Sequence, residues 1–357
     1  MGFKPPMQAH TEKQWSLGDM SPAGFGLVMA TGIVSLAAHL LAHPRIAQAL
    51  FDLNVGFFAV LWALTLLRLA RHPRRFFHDF GDHLRGPGFF TMVAGAGILG
   101  CQFVTLESDY RTGWLLWLLA AGLWAVLTYA IFAALTIRTE KPALDRGLSG
   151  GWLLAVVSTQ SLAVLGGMLA GHGGPLGAPV INFLALSLWL WGGMLYILIM
   201  ALIFFRYLFL RFAPADLSPS YWINMGAMAI STLAGTQLIS NAEQAPFLSS
   251  LLPFLKGLTL FFWATGTWWI PLLLVLGFWR HAYMRFPVRY DPLYWGVVFP
   301  FGMYAAATYR LAEVLDLDFL TGLPPVFLYA AMAAWLVALA GLAHDVWVRY
   351  CGRQRPA

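Results

Sequence analysis

Charged residues are scarce in this chain. Only 11% of its 357 residues are Asp, Glu, Lys or Arg, whereas soluble domains carry roughly 25%. So few charges cannot cover a surface that faces water, and 59% of the residues are hydrophobic. The composition therefore excludes an ordinary soluble protein and predicts a surface in contact with lipid.

Cysteine is equally sparse, with only Cys101 and Cys351. This number excludes a disulfide framework and a zinc site with cysteine spacing. The first twenty residues lack the apolar stretch of a secretory signal peptide, so the first apolar helix is expected to direct insertion. No polar insert interrupts the apolar segments. We expect one membrane domain at residues 21–349, between cytoplasmic tails at 1–20 and 350–357.

Long apolar segments follow one another along the chain. A bilayer core of about 30 Å requires roughly 20 helical residues per crossing, and ten segments meet that length. Runs this long favour helices over a β-barrel. The expected fold is thus all-α, with ten transmembrane helices. They span residues 22–41, 46–68, 87–106, 112–136, 151–170, 181–210, 220–240, 254–280, 292–314 and 324–348.

The basic residues lie mostly on one side of these ten helices. Of the 22 Lys and Arg residues, only Arg45, Arg111, Lys256 and Arg310 fall on the opposite side. The positive-inside rule then places both termini in the cytoplasm. The net charge of +6 is explained by topology and lipid headgroups, so a nucleic-acid partner is not expected.

The helices also alternate in composition. Residues 21–32 and 86–97 share Pro, Phe, Met and a patch of small residues, and residues 221–228 and 294–303 carry looser versions. Small residues let helix backbones approach each other in lipid, whereas the even-numbered helices are rich in Leu, Trp and Phe. The pattern predicts five helical hairpins around a central pore, with the odd-numbered helices inside.

No Asp, Glu, Lys or Arg lies near the middle of any segment. An enzyme or a proton pump would usually need such groups there. Uncharged polar residues remain, and they suit either conduction of ions or hydrogen bonds between helices. Candidates for lining a pore are Thr31, Thr91, Gln160 and Asn224.

The loop from His78 to His83 is the one cluster of metal-ligand residue types, with Asp79 and Asp82 between the histidines. Its basic neighbours favour a solvated or interfacial segment over a metal site. We therefore predict no metal and no cofactor.

Pro300 lies well inside the ninth segment, where it removes a backbone donor and is expected to kink the helix. Phe299 precedes it. A phenylalanine directed into a narrow pore would form a hydrophobic plug; otherwise, it would pack between helices.

Three stretches resemble one family. Residues 25–32, residues 85–91, and Trp295 followed by Phe299-Pro300 are similar to the tellurite-resistance/C4-dicarboxylate transporter family, whose relatives include the plant guard-cell slow anion channels. The order and spacing of the three match along essentially the whole chain. The fifth helix lacks the Pro–Phe signature, so the resemblance does not fix its orientation.

The resemblance implies a homotrimer in the bacterial inner or plasma membrane, each subunit with a pore lined by its odd-numbered helices. It further implies that Phe299, with Pro300, occludes this pore, and that Phe25 and Phe90 lie near it.

The leading hypothesis is a transporter or channel, not an enzyme, for small anions such as C4-dicarboxylates, sulfite, chloride or nitrate. A proton-coupled carrier for organic acids is the first alternative. An intramembrane enzyme that uses His78 and His83 is the second.

Overall fold

The computed structural model describes residues 16–287 and 291–351, and these residues form helices and turns without a β-strand. Ten helices of fifteen or more residues follow one another, with shorter ones between them. The long helices are α1 (Gly26–Leu40), α2 (Pro44–Arg71), α3 (Phe90–Leu106), α4 (Tyr110–Ile137), α5 (Leu154–Leu169), α6 (Ala178–Phe209), α7 (Ile223–Ser240), α8 (Leu252–Phe278), α9 (Trp295–Leu315) and α10 (Leu323–Cys351).

The prediction of an all-α membrane protein is confirmed. Among the described residues, eight of the long helices are long and apolar enough to cross a membrane, and α1, α3 and α5 reach that length together with the short turn before each of them. The other two are α7 and α9. Polar side chains such as Ser231, Thr232 and Gln237 dilute the apolar character of α7, while α9 carries Arg310 and Glu313 near its end.

Each odd-numbered helix begins three or four residues later than its predicted segment. The residues before it form a 3₁₀ turn, namely Pro22–Phe25, Gly86–Phe89, Gly150–Leu153, Pro219–Trp222 and Pro292–Tyr294. Proline supports such a start in four of the five turns, because its φ is already helical and it has no N–H to satisfy. In the third turn, Ser149 instead accepts a hydrogen bond from the amide of Gly151.

These five turns contact one another in a closed cycle, from the first through the fifth and back to the first. The N-termini of all five odd-numbered helices therefore meet on one side of the molecule. The loops that lead into the turns carry most of the basic residues, and we call this side the basic side.

The odd-numbered helices also contact one another in a cycle: α1 with α3, α3 with α5, α5 with α7, α7 with α9 and α9 with α1. Each even-numbered helix packs against the odd-numbered helix that precedes it. In the most apolar stretches of α1, α3 and α5, 78%, 83% and 89% of the residues are buried, whereas the even-numbered helices have 44% or less. The core of the protein is thus the inner cycle, and the even-numbered helices expose apolar surface.

A glycine lies at every junction of the inner cycle. At the α3–α5 junction, a β-carbon on Gly97 would be 2.9 Å from the side chain of Ser161, closer than van der Waals contact allows. A β-carbon would likewise be 2.6 Å from Gln237 at Gly167, 2.9 Å from Pro300 at Gly226 and 3.1 Å from Ile33 at Gly302, whereas at Gly95 it would make ordinary contact with Val28 at 3.4 Å. The small residues therefore set the spacing of the inner helices, as expected for packing in lipid.

Candidate anion pathway

Phe299 is completely buried in the inner cycle. A β-carbon added to Gly226 of α7 would lie 3.2 Å from the Phe299 ring and 2.9 Å from Cγ of Pro300. The ring thus lies between α7 and α9 and packs against the backbone at Gly226, where any other residue would place a β-carbon. Pro300 has no N–H, so the carbonyl of Gly296 loses its usual helical partner.

Phe25 and Phe90 are buried at the starts of α1 and α3, and both rings contact outer helices. The Phe25 ring makes edge contacts with Phe58 and Trp62 of α2, at centroid distances of 6.0 and 5.6 Å. The Phe90 ring lies 6.3 Å from Phe132 of α4. Contact with the pore stays a prediction for both residues.

The four polar candidates on the inner helices are buried and hydrogen-bonded. Three of them reach an outer helix. Thr31 accepts a hydrogen bond from Trp335 (2.9 Å), Gln160 donates to the carbonyl of Trp189 (3.1 Å), and Asn224 accepts from Tyr196 (2.7 Å). The fourth, Thr91, donates to the carbonyls of Gly88 (2.7 Å) and Pro22 (3.3 Å). These bonds fix the inner helices against their neighbours.

Tryptophans of the outer helices form a set that sequence reasoning missed. Five indole N–H groups from four outer helices bond to an inner helix: Trp117 donates to the carbonyl of Leu162 (3.1 Å), Trp124 to Thr159 (2.8 Å), Trp189 to the carbonyl of Ser231 (2.7 Å), Trp263 to Thr308 (3.0 Å) and Trp335 to Thr31 (2.9 Å). The fifth outer helix, α2, carries Trp62, whose indole nitrogen is buried without a partner. Each even-numbered segment carries at least one tryptophan near its middle, and this repeated position could have indicated the set from the sequence.

Serine and threonine hydroxyls of α5 and α7 bond to their own helices. Ser158 donates to the carbonyl of Ala155, and Ser231 donates to that of Ala227, at 2.9 and 2.7 Å. These hydroxyl protons are therefore already used in hydrogen bonds to carbonyls of the same helix. An anion near them would gain a donor only after a hydroxyl rotates away from its carbonyl.

The electrostatics of the inner cycle favour anions. Helix N-termini carry a partial positive charge, and anions bind near them. All five inner helices present their N-termini on the basic side. Glu313 is the one carboxylate in these five helices, and it lies near the far end of α9, paired with Arg310 at 2.8 Å.

The His78–His83 segment has a structural role in the part of the chain that is described. Asp79 is buried and pairs with Arg68 (2.5 Å) and Arg85 (2.8 Å). The two arginines also donate to the carbonyls of Gly18 and Met20, which ties the N-terminal turns to α2 and α3. Within the described residues, no group of three or more His, Cys, Asp or Glu side chains is arranged to hold a metal ion.

His83 lies beside the ring of Trp152, at a centroid distance of 6.2 Å. Burial lowers the pKa of His83 below its ordinary value, and the positive charge of Arg138 lowers it further. Asp82 acts in the opposite direction, but its effect is smaller. The environment therefore favours the neutral form of the imidazole over the protonated form.

Known proteins are similar to this chain over different lengths. An uncharacterized membrane protein of Mycobacterium tuberculosis is 36% identical over 152 residues, which cover 43% of this chain and 77% of the relative. Two uncharacterized transporters of Methanocaldococcus jannaschii are each 21% identical, over 90% and 91% of this chain and 94% and 93% of their own lengths.

The family comparison covers most of the described fold. Residues 19–343 match the SLAC1 family, described as voltage-dependent anion channel. The match includes all of the inner cycle and the basic-side turns, and it confirms the relationship that the three sequence stretches predicted. The chain belongs to the SLAC1 family of anion channels and is a membrane transport protein.

Proposed function

We propose that this protein conducts small anions through the inner cycle of α1, α3, α5, α7 and α9. The observation that carries the proposal is the meeting of five parallel helix N-termini above an interior without central charged side chains. The dipoles attract an anion to the basic side. Weak, uncharged contacts beyond them allow it to leave again, as conduction requires.

The proposed topology has ten membrane crossings in five hairpins, with α7 and α9 crossing inside the protein and both termini in the cytoplasm. The contact cycles support it, because five parallel inner helices require five returning ones. A location of α7 and α9 away from lipid explains why they tolerate more polar residues than a lipid-facing helix.

Phe299 is the proposed gate. Its ring fills the space between α7 and α9 on Gly226, so a continuous path there requires the ring to move or to be removed. Pro300 weakens the adjoining helical turn, which supports local movement of α9 at this point.

Small monovalent anions such as chloride and nitrate are the proposed preferred substrates. The inner helices offer no central cation to compensate the loss of hydration, and the cost of dehydration rises steeply with charge. Sulfite and C4-dicarboxylates would then pass more readily as monoanions than as dianions.

Anion flux into liposomes tests the function and the gate together. The wild type, Phe299→Ala and Phe301→Ala are reconstituted at equal density and compared across chloride, nitrate, sulfite and a C4-dicarboxylate. Phe301 is the matched control, because its ring packs on Trp222 and Phe327. Phe299→Ala is expected to raise flux clearly above that of the wild type, because it removes the proposed hydrophobic constriction, and Phe301→Ala is expected to leave it near wild type. Failure of every form to exceed empty liposomes would reject the proposal.

A homotrimer is the proposed assembly. The outer helices expose large apolar side chains such as Leu115, Phe209 and Phe278, and such surfaces fit either lipid or another copy of the chain. The mass of the detergent-solubilised protein, measured by light scattering, distinguishes a trimer from a monomer.

A further inference from the structure

Four arginines in the part of the chain with described side chains are not exposed: Arg68, Arg85, Arg206 and Arg280. Buried cations are normally paired with an anion. Arg68 and Arg85 share Asp79, and Arg206 pairs with Asp216 at 3.4 Å. No carboxylate of the described residues lies within ion-pair distance of the fourth, Arg280.

The guanidinium of Arg280 is held in place without neutralisation. One of its terminal nitrogens donates to the carbonyl of Leu217, and its plane lies over the ring of Phe286, 4.5 Å from the centroid. Its Nε atom is buried and has no hydrogen-bond partner in the described structure. The charge of Arg280 is therefore not compensated by a carboxylate among the described residues.

A cavity of about 190 Å³ is lined in part by Arg280. Its volume is more than ten times the roughly 10–15 Å³ that one water requires. Its lining residues include Ser218, Arg280, His281 and Tyr294 together with apolar residues such as Leu273 and Val297. His281 lies one residue from the arginine, and its Nδ1 contacts the carbonyl of Phe286 at 3.0 Å. The cavity is therefore lined by a fixed cation among polar and apolar residues.

The position of the cavity suits an amphiphile. It lies on the basic side, between the end of α8 and the starts of α7 and α9. The last turns of α8 expose Leu274, Val275 and Phe278, whose fractional exposures are 57%, 63% and 71%. A lipid chain can lie along these residues while its headgroup reaches Arg280.

We propose that this cavity binds a phosphate group at the boundary between membrane and water. Arg280 supplies the charge and the directed donors, because a guanidinium matches phosphate oxygens in both geometry and charge. Ser218 and Tyr294 line the same cavity. The phosphate belongs either to an anionic phospholipid or to a free anion, and the apolar approach along α8 favours the lipid. Phosphate binding at this site does not depend on the proposed conduction of anions.

Native mass spectrometry of the purified full-length protein, with short-chain phosphatidylglycerol, phosphatidylcholine or inorganic phosphate as the added probe, tests this proposal. Arg280→Gln removes the cation. Gly277→Leu fills the cavity and keeps Arg280, and a β-carbon at Gly277 meets no atom within 4 Å, so this variant is expected to fold. Arg285→Gln is the matched control, because Arg285 is an exposed arginine five residues away.

The wild type is expected to bind phosphatidylglycerol about tenfold more tightly than Arg280→Gln and Gly277→Leu do, while Arg285→Gln binds it like the wild type. Stronger binding of phosphatidylglycerol than of inorganic phosphate identifies a lipid headgroup as the source of the phosphate. Comparable binding of inorganic phosphate identifies a free anion. Equal affinity of the wild type and both cavity variants for every probe overturns the proposal.

Discussion

Gly226 of α7 faces Phe299 of α9 so closely that a β-carbon at position 226 would lie 3.2 Å from the phenyl ring. The same β-carbon would lie 2.9 Å from Pro300, whose ring cannot rotate away. The Phe299 ring therefore packs against the backbone of α7. It can do so because residue 226 is a glycine and has no β-carbon.

The first prediction concerns Gly226→Ala. The added methyl group must displace α9, because overpacking between two helices is relieved by movement of the backbone. We expect a loss of stability of about 1–3 kcal/mol and a severalfold rise in passive anion flux, since Phe299 leaves its position against α7. Thermal denaturation in detergent and liposome flux measure the two effects.

Gly257→Ala in α8 is the control for that substitution, because a β-carbon at Gly257 meets no atom within 4 Å. It tests whether a helical Gly→Ala change by itself alters flux. Unchanged flux and stability in Gly226→Ala would show that Phe299 is not confined by α7.

The second prediction concerns the bond between Trp335 of α10 and Thr31 of α1, which is 2.9 Å long and buried. Trp335→Phe keeps an aromatic ring but removes the donor, and we expect it to cost about 1 kcal/mol beyond the loss of ring volume. Thr31→Val combined with it should cost less than the sum of the two single changes. Trp347→Phe, at a position that is 67% exposed, should be near neutral. Full additivity in the double-mutant cycle would contradict a stabilising role of this bond.

The helices could be located from the sequence because the length of an apolar run is read directly along the chain. The partners of the loop residues could not be predicted, because they depend on the three-dimensional fold. Asp79 and Arg68 are eleven residues apart, and nothing in the sequence distinguishes Asp79, which is buried between two arginines, from Asp82 nearby.

The orientation of side chains on the inner helices was equally inaccessible. The ring of Phe25, for example, makes edge contacts with Phe58 and Trp62 of α2. Buried helices in lipid are apolar on every face, so periodicity does not indicate which face is inside. The site residues proposed from resemblance could therefore be placed on helices but not oriented.

The third prediction concerns Asp79→Asn. The carboxylate is buried between Arg68 and Arg85, so its neutralisation leaves two cations without compensation. Removal of one partner from a buried ion network costs about 3–5 kcal/mol, and we expect a loss of this size in unfolding measurements. The exposed Asp318 provides the control, since Asp318→Asn should change stability by less than about 0.5 kcal/mol. A similar loss in both variants would contradict the assignment.

The last prediction concerns the pH dependence of stability at His83. Burial and the charge of Arg138 lower the pKa of this imidazole below 6.5 in the folded protein, so the unfolded chain binds a proton more readily. Where the unfolded state binds more protons, stability rises with pH. The contribution of His83 is therefore a loss of stability as the pH falls from 6.5 toward the lowered value. His83→Gln should flatten this part of the melting-temperature profile, while His344→Gln, at an exposed position near the end of α10, should leave it unchanged. An identical slope in the wild type and His83→Gln would show that the imidazole does not titrate differently on folding.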